Sequence, residues 1–404
     1  MNLVLFDSEQ RESLFPLTFT RPQAAIRSGI LTIKEKWEWN LGVTGSYLTT
    51  PAVAFKYPLE VTSDTLYIAG NILPTPDFVG AVQSLQPNEG LVRAGQLIAI
   101  RANESACQKI QNKDFKDWQL RVWDGHLNQV SYAHQLLPIN KKEIETDFQL
   151  LTCKRQSQEI SETVTIVGEH KNPDYRSRIF IEPGAEVEYA WLNPQDGPIY
   201  IGTDAKVQEG TMLRGPIALC DSAQINMGAK IYGGSTIGPW SKVGGEMCNA
   251  IILGYSNKVH DGYLGDSVLG EWCNLGADTN TSNLKNDYAE VKLWDYTCDR
   301  FQKTGLQFCG LIMGDYSRCA INTSFNSGTI VGVGSNIFGS GFPRNFVPSF
   351  VIGGPQGYKN NAPAVVKRTA MMAMKRRNVE FGQADEVIID EVFGVTQKYR
   401  TSLK

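Results

Sequence analysis

Eight aliphatic residues fall at strict six-residue intervals: Ile201, Val207, Leu213, Leu219, Ile225, Ile231, Ile237 and Val243. A helix repeats every 3.6 residues and a strand every two, so neither produces this spacing, whereas a coil with three short sides does. With about a quarter of residues aliphatic, a run of eight from a fixed start arises by chance on the order of once in 10⁵. The period resumes at Met313, Cys319, Phe325, Val331 and Ile337, which joins the two stretches into one solenoid. Each hexad supplies a flat side with its aliphatic residue inward, and three hexads close a turn stacked about 4.8 Å above the last. Glycines such as Gly202, Gly238, Gly244 and Gly332 follow the inward residue, next to a corner where a missing Cβ relieves crowding. The pattern predicts a parallel β-helix of triangular section.

At 404 residues the chain is too long for one core, and its 42% hydrophobic and 20% charged content is ordinary globular usage. A formal charge of −3 supplies no basic field for nucleic acid or anionic lipid. The eight cysteines lack any C-x-x-C pair, which argues against a zinc cage or a disulfide framework and for thiols in a reducing cytoplasm. No metal site is expected. The start MNLVLFDSEQR has an acidic group within seven residues and no apolar run, unlike a signal peptide. Nowhere are eighteen apolar residues continuous, so no membrane span is expected.

Residues 1–135 lack the hexad period. Strands are expected at Asn2–Phe6, Thr65–Ala69 and Gln96–Arg101 and helices around Gly29–Glu38 and Pro76–Ser84, an alternation that suggests a Rossmann-type α/β layer. Residues 136–162 read as a linker helix. The β-helix is assigned to 163–361, with preliminary strands at Thr163–Gly168 and Ile179–Asn193 and regular coils from near Ile199. Around Thr281–Gly305 the hexads fail over a stretch long enough to leave the coil, and such excursions commonly carry binding groups. Within 362–404, Ala362–Asn378 and Gln383–Arg400 are helix-patterned; the first is basic (KRTAMMAMKRR) and reads as a solvated face capping the solenoid.

The segment KVHDGYLGDSVLGEWCNLGADTNTSNLKND, Lys258–Asp287, resembles the acetyltransferase half of the bifunctional N-acetylglucosamine-1-phosphate uridyltransferase / glucosamine-1-phosphate acetyltransferase family. That family's pattern runs G-H-L-T-Y-L-G-D, then N-I-G-A-G-T, then C-N-Y-D-G. The whole chain is similar to a branch of sugar nucleotidyltransferases that join a shortened nucleotidyltransferase-like domain to such a coil. The resemblance implies a left-handed β-helix, a homotrimer with acetyl-CoA bound between neighbouring subunits, and a sugar phosphate or sugar nucleotide as acceptor.

Attack of an amine on a thioester needs a base near neutral pH, and histidine has the side chain whose unperturbed pKa suits this. Of four histidines, His260 stands where the resemblance places the catalytic one. By the same similarity Tyr263, Asn274 and Asn283 orient the acceptor, with Lys285 near its phosphate. Position 278 lies one full turn of three hexads beyond 260, which predicts that Asp278 and the neighbouring Asn274 stack on the same face as the histidine. Asn249 occupies the place of a family lysine, and Arg214 is a candidate to replace that phosphate contact.

Active sugar nucleotidyltransferases carry L-x-x-G-x-G-T-R-x-x-P-x-T-x-x-x-P-K, whose glycines let backbone N–H groups approach phosphates. This chain has LFDSEQRESLFPLTFTRP: Arg11 and Arg21 remain as candidate nucleotide contacts, but the glycines are absent and Asp7 and Glu9 stand near the phosphates. The family's metal-binding G-D-x-P-L appears with Asn71 in place of the carboxylate, which weakens Mg²⁺ binding. The first part is therefore expected to bind a sugar nucleotide weakly or to act as scaffold. The leading expectation is a cytoplasmic acyl(acetyl)transferase with His260 as general base. One alternative is a Mg²⁺-dependent sugar-1-phosphate nucleotidyltransferase forming a UDP- or dTDP-sugar. Another is a non-catalytic trimeric scaffold or sensor.

Overall fold

The structure, a computed structural model, describes residues 2–401. By contacts the chain divides into one unit of 2–14, 20–26 and 31–132 and a second of 15–19, 27–30 and 133–401.

The first unit contains β1 (Asn2–Phe6), β2 (Gly45–Leu48), β3 (Thr65–Ala69), the short β4 (Ile72–Leu73), β5 (Glu89–Arg93), β6 (Gln96–Ala102), β7 (Gln119–Val122) and the short β8 (Asn128–Gln129). Its main sheet has the order β2-β1-β3-β6-β5-β7. β1 runs parallel to β2 and β3, while β6 is antiparallel to β3 and β5. The helices α1 (Ile33–Leu41), α2 (Pro51–Ala54), α3 (Pro76–Gln83) and α4 (Ala106–Asn112) form the connections. α1 starts where the Thr32 hydroxyl accepts from the Glu35 N–H while the Glu35 carboxylate accepts from the Thr32 N–H, and it ends at Gly42 in the left-handed region. β1 and β3 are fully apolar along most of their length because both faces of this parallel core are covered.

In the second unit α5 (Leu136–Thr152) leads into three parallel ladders that form the faces of a β-helix. Face one stacks Ile179–Ile181 up to Phe346–Val347, and face two stacks Glu186–Val187 up to Val351–Gly354. Face three stacks Thr165–Ile166 up to Tyr263–Gly265, above which Asn280–Thr281 pairs with Ser324–Phe325. Every hexad aliphatic, from Ile201 to Val243 and from Met313 to Ile337, is buried in one continuous core. The expected linker helix ends at Thr152 rather than near Ile160, and coiling begins at Thr165, earlier than the sequence period shows. The first turns conceal the period because their rungs exceed three hexads. Ile179 pairs with Ile199 across such a longer rung, and only from Ile199 to Ile217 does the turn settle to three.

The register then shortens. Lys230 pairs with Glu246, Lys242 with Asn257, and Asn257 with Asn274, each across a rung that falls short of three full hexads. Shorter corners absorb the difference, which is why the hexads break near 247–264. Beyond Thr281 the chain leaves the coil, builds an antiparallel hairpin of Lys292–Asp295 and Arg300–Lys303, and re-enters at Leu311. Val268 still pairs directly with Ile312. Trp294 and Tyr296 anchor the hairpin against Phe346 and Tyr399. The C-terminal stretch forms α6 (Pro363–Lys375), α7 (Gln383–Val395) and α8 (Gln397–Thr401). α6 reaches the coil through Arg377 just beyond its end, which donates to the Asn257 side chain and the Trp240 carbonyl. Lys367 of the basic helix pairs with Asp390 at 2.7 Å.

Ile231 is stacked between Leu213 and Met247 and is 1% exposed. Ile231→Ala leaves a void that the flat rungs above and below cannot close. The expected loss is about 3 kcal/mol of stability, read as a lowered urea midpoint with an unchanged slope.

Candidate functional site

Residues 259–262 form the corner between faces two and three, and His260 stands on it with an exposed side chain and no side-chain partner among the described residues. The backbone beneath that imidazole is tied at each of four successive carbonyls. Val259 O accepts from the Asn226 amide at 2.9 Å and His260 O from the Lys258 ammonium at 2.7 Å. Asp261 O accepts from the Asp278 N–H at 3.1 Å and Gly262 O from the Glu246 N–H at 3.2 Å. The glycine pair below permits this approach: a Cβ on Gly244 would lie 2.2 Å from Val259 O, and one on Gly245 would lie 2.7 Å from Asp261 Cα. The GG of GGEM therefore seats the histidine corner on the rung beneath it. Asp278 lies above Asp261 rather than above His260, because the local rung is one residue short of three hexads.

Face three carries a polar cluster beside this corner. The Asn283 amide donates to Tyr263 Oη at 3.1 Å and to Asp266 Oδ2 at 2.6 Å, and the Asn249 amide donates to Asp266 Oδ1 at 2.7 Å. Burial pushes the Tyr263 phenol up to about 12, with the Cys248 and Asp266 charges adding to it, so it stays protonated and can donate. Burial also raises the Cys248 thiol, which the Tyr263 hydroxyl partly offsets. Gly265 makes room for the ring, since a Cβ there would meet Tyr263 Oη at 2.4 Å. The structure thus brings together His260, Tyr263 and Asn283 on one corner and the face next to it. Asp266 and Asn249 join them; both adopt left-handed backbone at corners, a conformation for which Asn and Asp are enriched. The sequence marked both positions, Asp266 as the last residue of the matched Y-L-G-D run and Asn249 in place of a family lysine, but gave neither a role.

The other candidates stand apart. Asn274 projects from face two, in register between Asn257 and Arg318, so it does not share the face of Tyr263. Lys285 follows Asn283 in the excursion and lies 3.7 Å from Asp287. Arg214 pairs with Asp196 at 2.7 Å and stands three rungs below Gly265 in the column Arg214, Tyr232, Cys248, Gly265, about 14 Å away. Within one chain it therefore stands apart from Asn249.

In the first unit the segment after β1 forms short 3₁₀ turns at Glu9–Leu14 and Gln23–Ala25 instead of an open glycine loop. Asp7 accepts from the Gln23 N–H at 2.8 Å and from the Thr49 hydroxyl, and it pairs with Arg11 at 2.9 Å. Burial raises its carboxyl above the usual range, against the pull of Arg11. Arg21 is 1% exposed and Asn71 0%, the latter donating to Val130 O at 3.2 Å. Two of the three nucleotide candidates, Arg21 and Asn71, are thus buried, and Arg11 is turned onto Asp7. The residues do not fit a Mg²⁺ ion either: Asn71 offers only one neutral amide oxygen, the Asp7 carboxylate is taken up by Arg11, Thr49 and the Gln23 N–H, and the described residues contain no cluster of three potential metal ligands. No helix among them is long and apolar enough to cross a membrane.

Residues 3–156 match the family model described as sugar nucleotidyl transferase. The "Bifunctional protein GlmU" of Methanocaldococcus jannaschii is 38% identical over 91 residues, 22% of this chain and 21% of that protein. The bifunctional sugar-1-phosphate nucleotidylyltransferase/acetyltransferase of Sulfurisphaera tokodaii is 28% identical over 144 residues, 35% of each. The match thus spans about a fifth to a third of the length of these relatives. Among solved structures, the polySia-specific acetyltransferase NeuO has 15% identity and a TM-score of 0.28, covering 48% of this chain and 92% of that one. The Francisella novicida UDP-N-acetylglucosamine acyltransferase has 14% identity and a TM-score of 0.21, covering 55% and 77%. The β-helix itself is read from strand register alone. Residues 3–156 are similar to a sugar nucleotidyl transferase domain, and the chain is similar to the bifunctional sugar-1-phosphate nucleotidylyltransferase/acetyltransferases.

Proposed function

We propose that this chain is a CoA-dependent acyltransferase, with acetyl-CoA as donor and an amino sugar phosphate or amino sugar nucleotide as acceptor, in which His260 is the general base. The observation that carries the reading is an exposed, unpartnered imidazole on a corner whose carbonyls are all tied, beside a cluster of amide, carboxylate and phenol groups. A ring nitrogen of His260 removes the proton from the attacking amine as the new C–N bond forms, and it returns a proton to the departing thiolate. Tyr263 and Asn283 orient sugar hydroxyls, and Asp266 holds both amides in place. The similarity to bifunctional acetyltransferases supports the same chemistry. We place the working assembly as a homotrimer in the cytoplasm.

The first unit is inferred to be inactive in nucleotidyl transfer, since Asp7 occupies Arg11 and both Arg21 and Asn71 are buried. Incubation with acetyl-CoA and glucosamine 1-phosphate, together with other amino sugar phosphates and nucleotides, should release free thiol. Silence across the panel overturns the acyltransferase reading, and pyrophosphate release from NTP plus sugar phosphate overturns the inactivity of the first unit. Gly265→Ala displaces the Tyr263 phenol from Asn283. It is expected to raise the acceptor KM about tenfold, one hydrogen bond's worth, with the KM for acetyl-CoA unchanged.

A further inference from the structure

Lys258 lies at an inward position of the coil, where the pattern calls for an aliphatic residue. It pairs in register with Val243, a member of the apolar core, and is 2% exposed. An ammonium there gives up its hydration, and replacing such a group by an apolar one of equal volume is often neutral or stabilising. An ammonium at this position therefore points to a use other than stability. That use is visible at its tip, where Nζ donates to Gly244 O at 2.9 Å and His260 O at 2.7 Å. It spans from the rung below to the peptide that carries the imidazole. The groups that face it are few: burial lowers the ammonium to about 8, while the Asp261 and Asp278 carboxylates act through space to raise it. No carboxylate is within bonding distance among the described residues, so the backbone carbonyls are its partners.

We propose that Lys258 is a positioning residue for His260, fastening the corner from inside the prism, with Asn226 as a lesser tie on the preceding carbonyl. The inference rests on His260 being the general base. Asn226 reaches Val259 O from two rungs below because Gly244, between them, has no side chain. Two side-chain donors and two backbone donors thus hold residues 259–262 while the imidazole stays free, the arrangement that preorganised proton transfer needs. A base displaced by about an ångström loses a large part of its advantage.

Lys258→Met keeps the buried stem and removes the ammonium. With acetyl-CoA and the amino sugar that supports turnover, kcat is expected to fall at least about tenfold. Both KM values should stay within about twofold, and the melting temperature should not fall. A residue that serves stability alone gives the opposite pattern. With four histidines in the chain, histidine labelled with ¹³C at Cε1 gives four signals, and His260→Ala assigns the relevant one; in Lys258→Met it should shift and narrow as the corner loosens. If His260→Ala is inactive and Lys258→Met retains kcat within about threefold, the positioning role is wrong. If His260→Ala turns over normally, the general-base reading fails instead, and the Cε1 signal alone judges the hold: an unchanged signal overturns it. Should Lys258→Met not fold, Asn226→Ala is expected to show the same split at smaller amplitude, and an unchanged kcat and signal there overturn the tied corner.

Discussion

His260→Ala is expected to lower turnover by about 10² to 10⁴, with acetyl-CoA and acceptor KM values close to those of the wild type. General-base catalysis contributes on that order, and a hundredfold loss corresponds to about 2.7 kcal/mol of transition-state stabilisation. The fold should not change, because the side chain is exposed and makes no contact that alanine would break. The four carbonyl ties at 259–262 involve backbone oxygens only, which the substitution leaves in place. Thiol release from acetyl-CoA measures the rate, and an unchanged melting temperature separates lost chemistry from lost structure. Turnover within tenfold of the wild type would move the base elsewhere on the coil.

The second large effect concerns acid stability. Burial pushes His134 down to about 4, a Thr304 carbonyl contact and Asp295 opposing the shift only in part. Its reference value is 6.5, so the unfolded chain takes up the proton first. The stabilisation from the neutral ring is therefore complete above pH 6.5 and drains away as pH falls toward 4. Such a gap corresponds to about 2 to 3 kcal/mol after allowance for partial exposure. Between pH 6.5 and 4 the denaturant midpoint should drop steeply in the wild type and far less in His134→Phe, whose ring stays neutral. Parallel curves for the two would remove His134 as the cause.

The prism was legible because its inward residues obey a fixed count. Ile201 to Val243 all point where the hexads put them. The count fails where corners change length, so the early rungs from Thr165 and the shortened ones around Glu246 were opaque, and Asp278 was misplaced by one residue. A six-residue rule also cannot see that an inward position holds Lys258, whose ammonium finds carbonyls by folding back to a corner. At the candidate site, His260, Tyr263 and Asn283 came from a local run of sequence, and Asn283 meets Tyr263 beside the His260 corner. Asp266 was missed because its role exists only once Asn249 and Asn283, which lie on either side of it and far apart along the chain, converge on its two oxygens. In the first unit, the loss of glycines after β1 was readable, whereas the burial of Arg21 and Asn71 depends on tertiary packing that no short motif encodes.

The excursion between Thr281 and Leu311 delivers Asn283 to Tyr263, yet the rungs on either side hydrogen-bond to each other without it. The pairing of the coil is thus set without it, while Trp294 and Tyr296 hold its hairpin against Phe346 and Tyr399. An exchange within this segment is therefore free to alter what stands beside Tyr263 while the rungs that carry the imidazole keep their pairing.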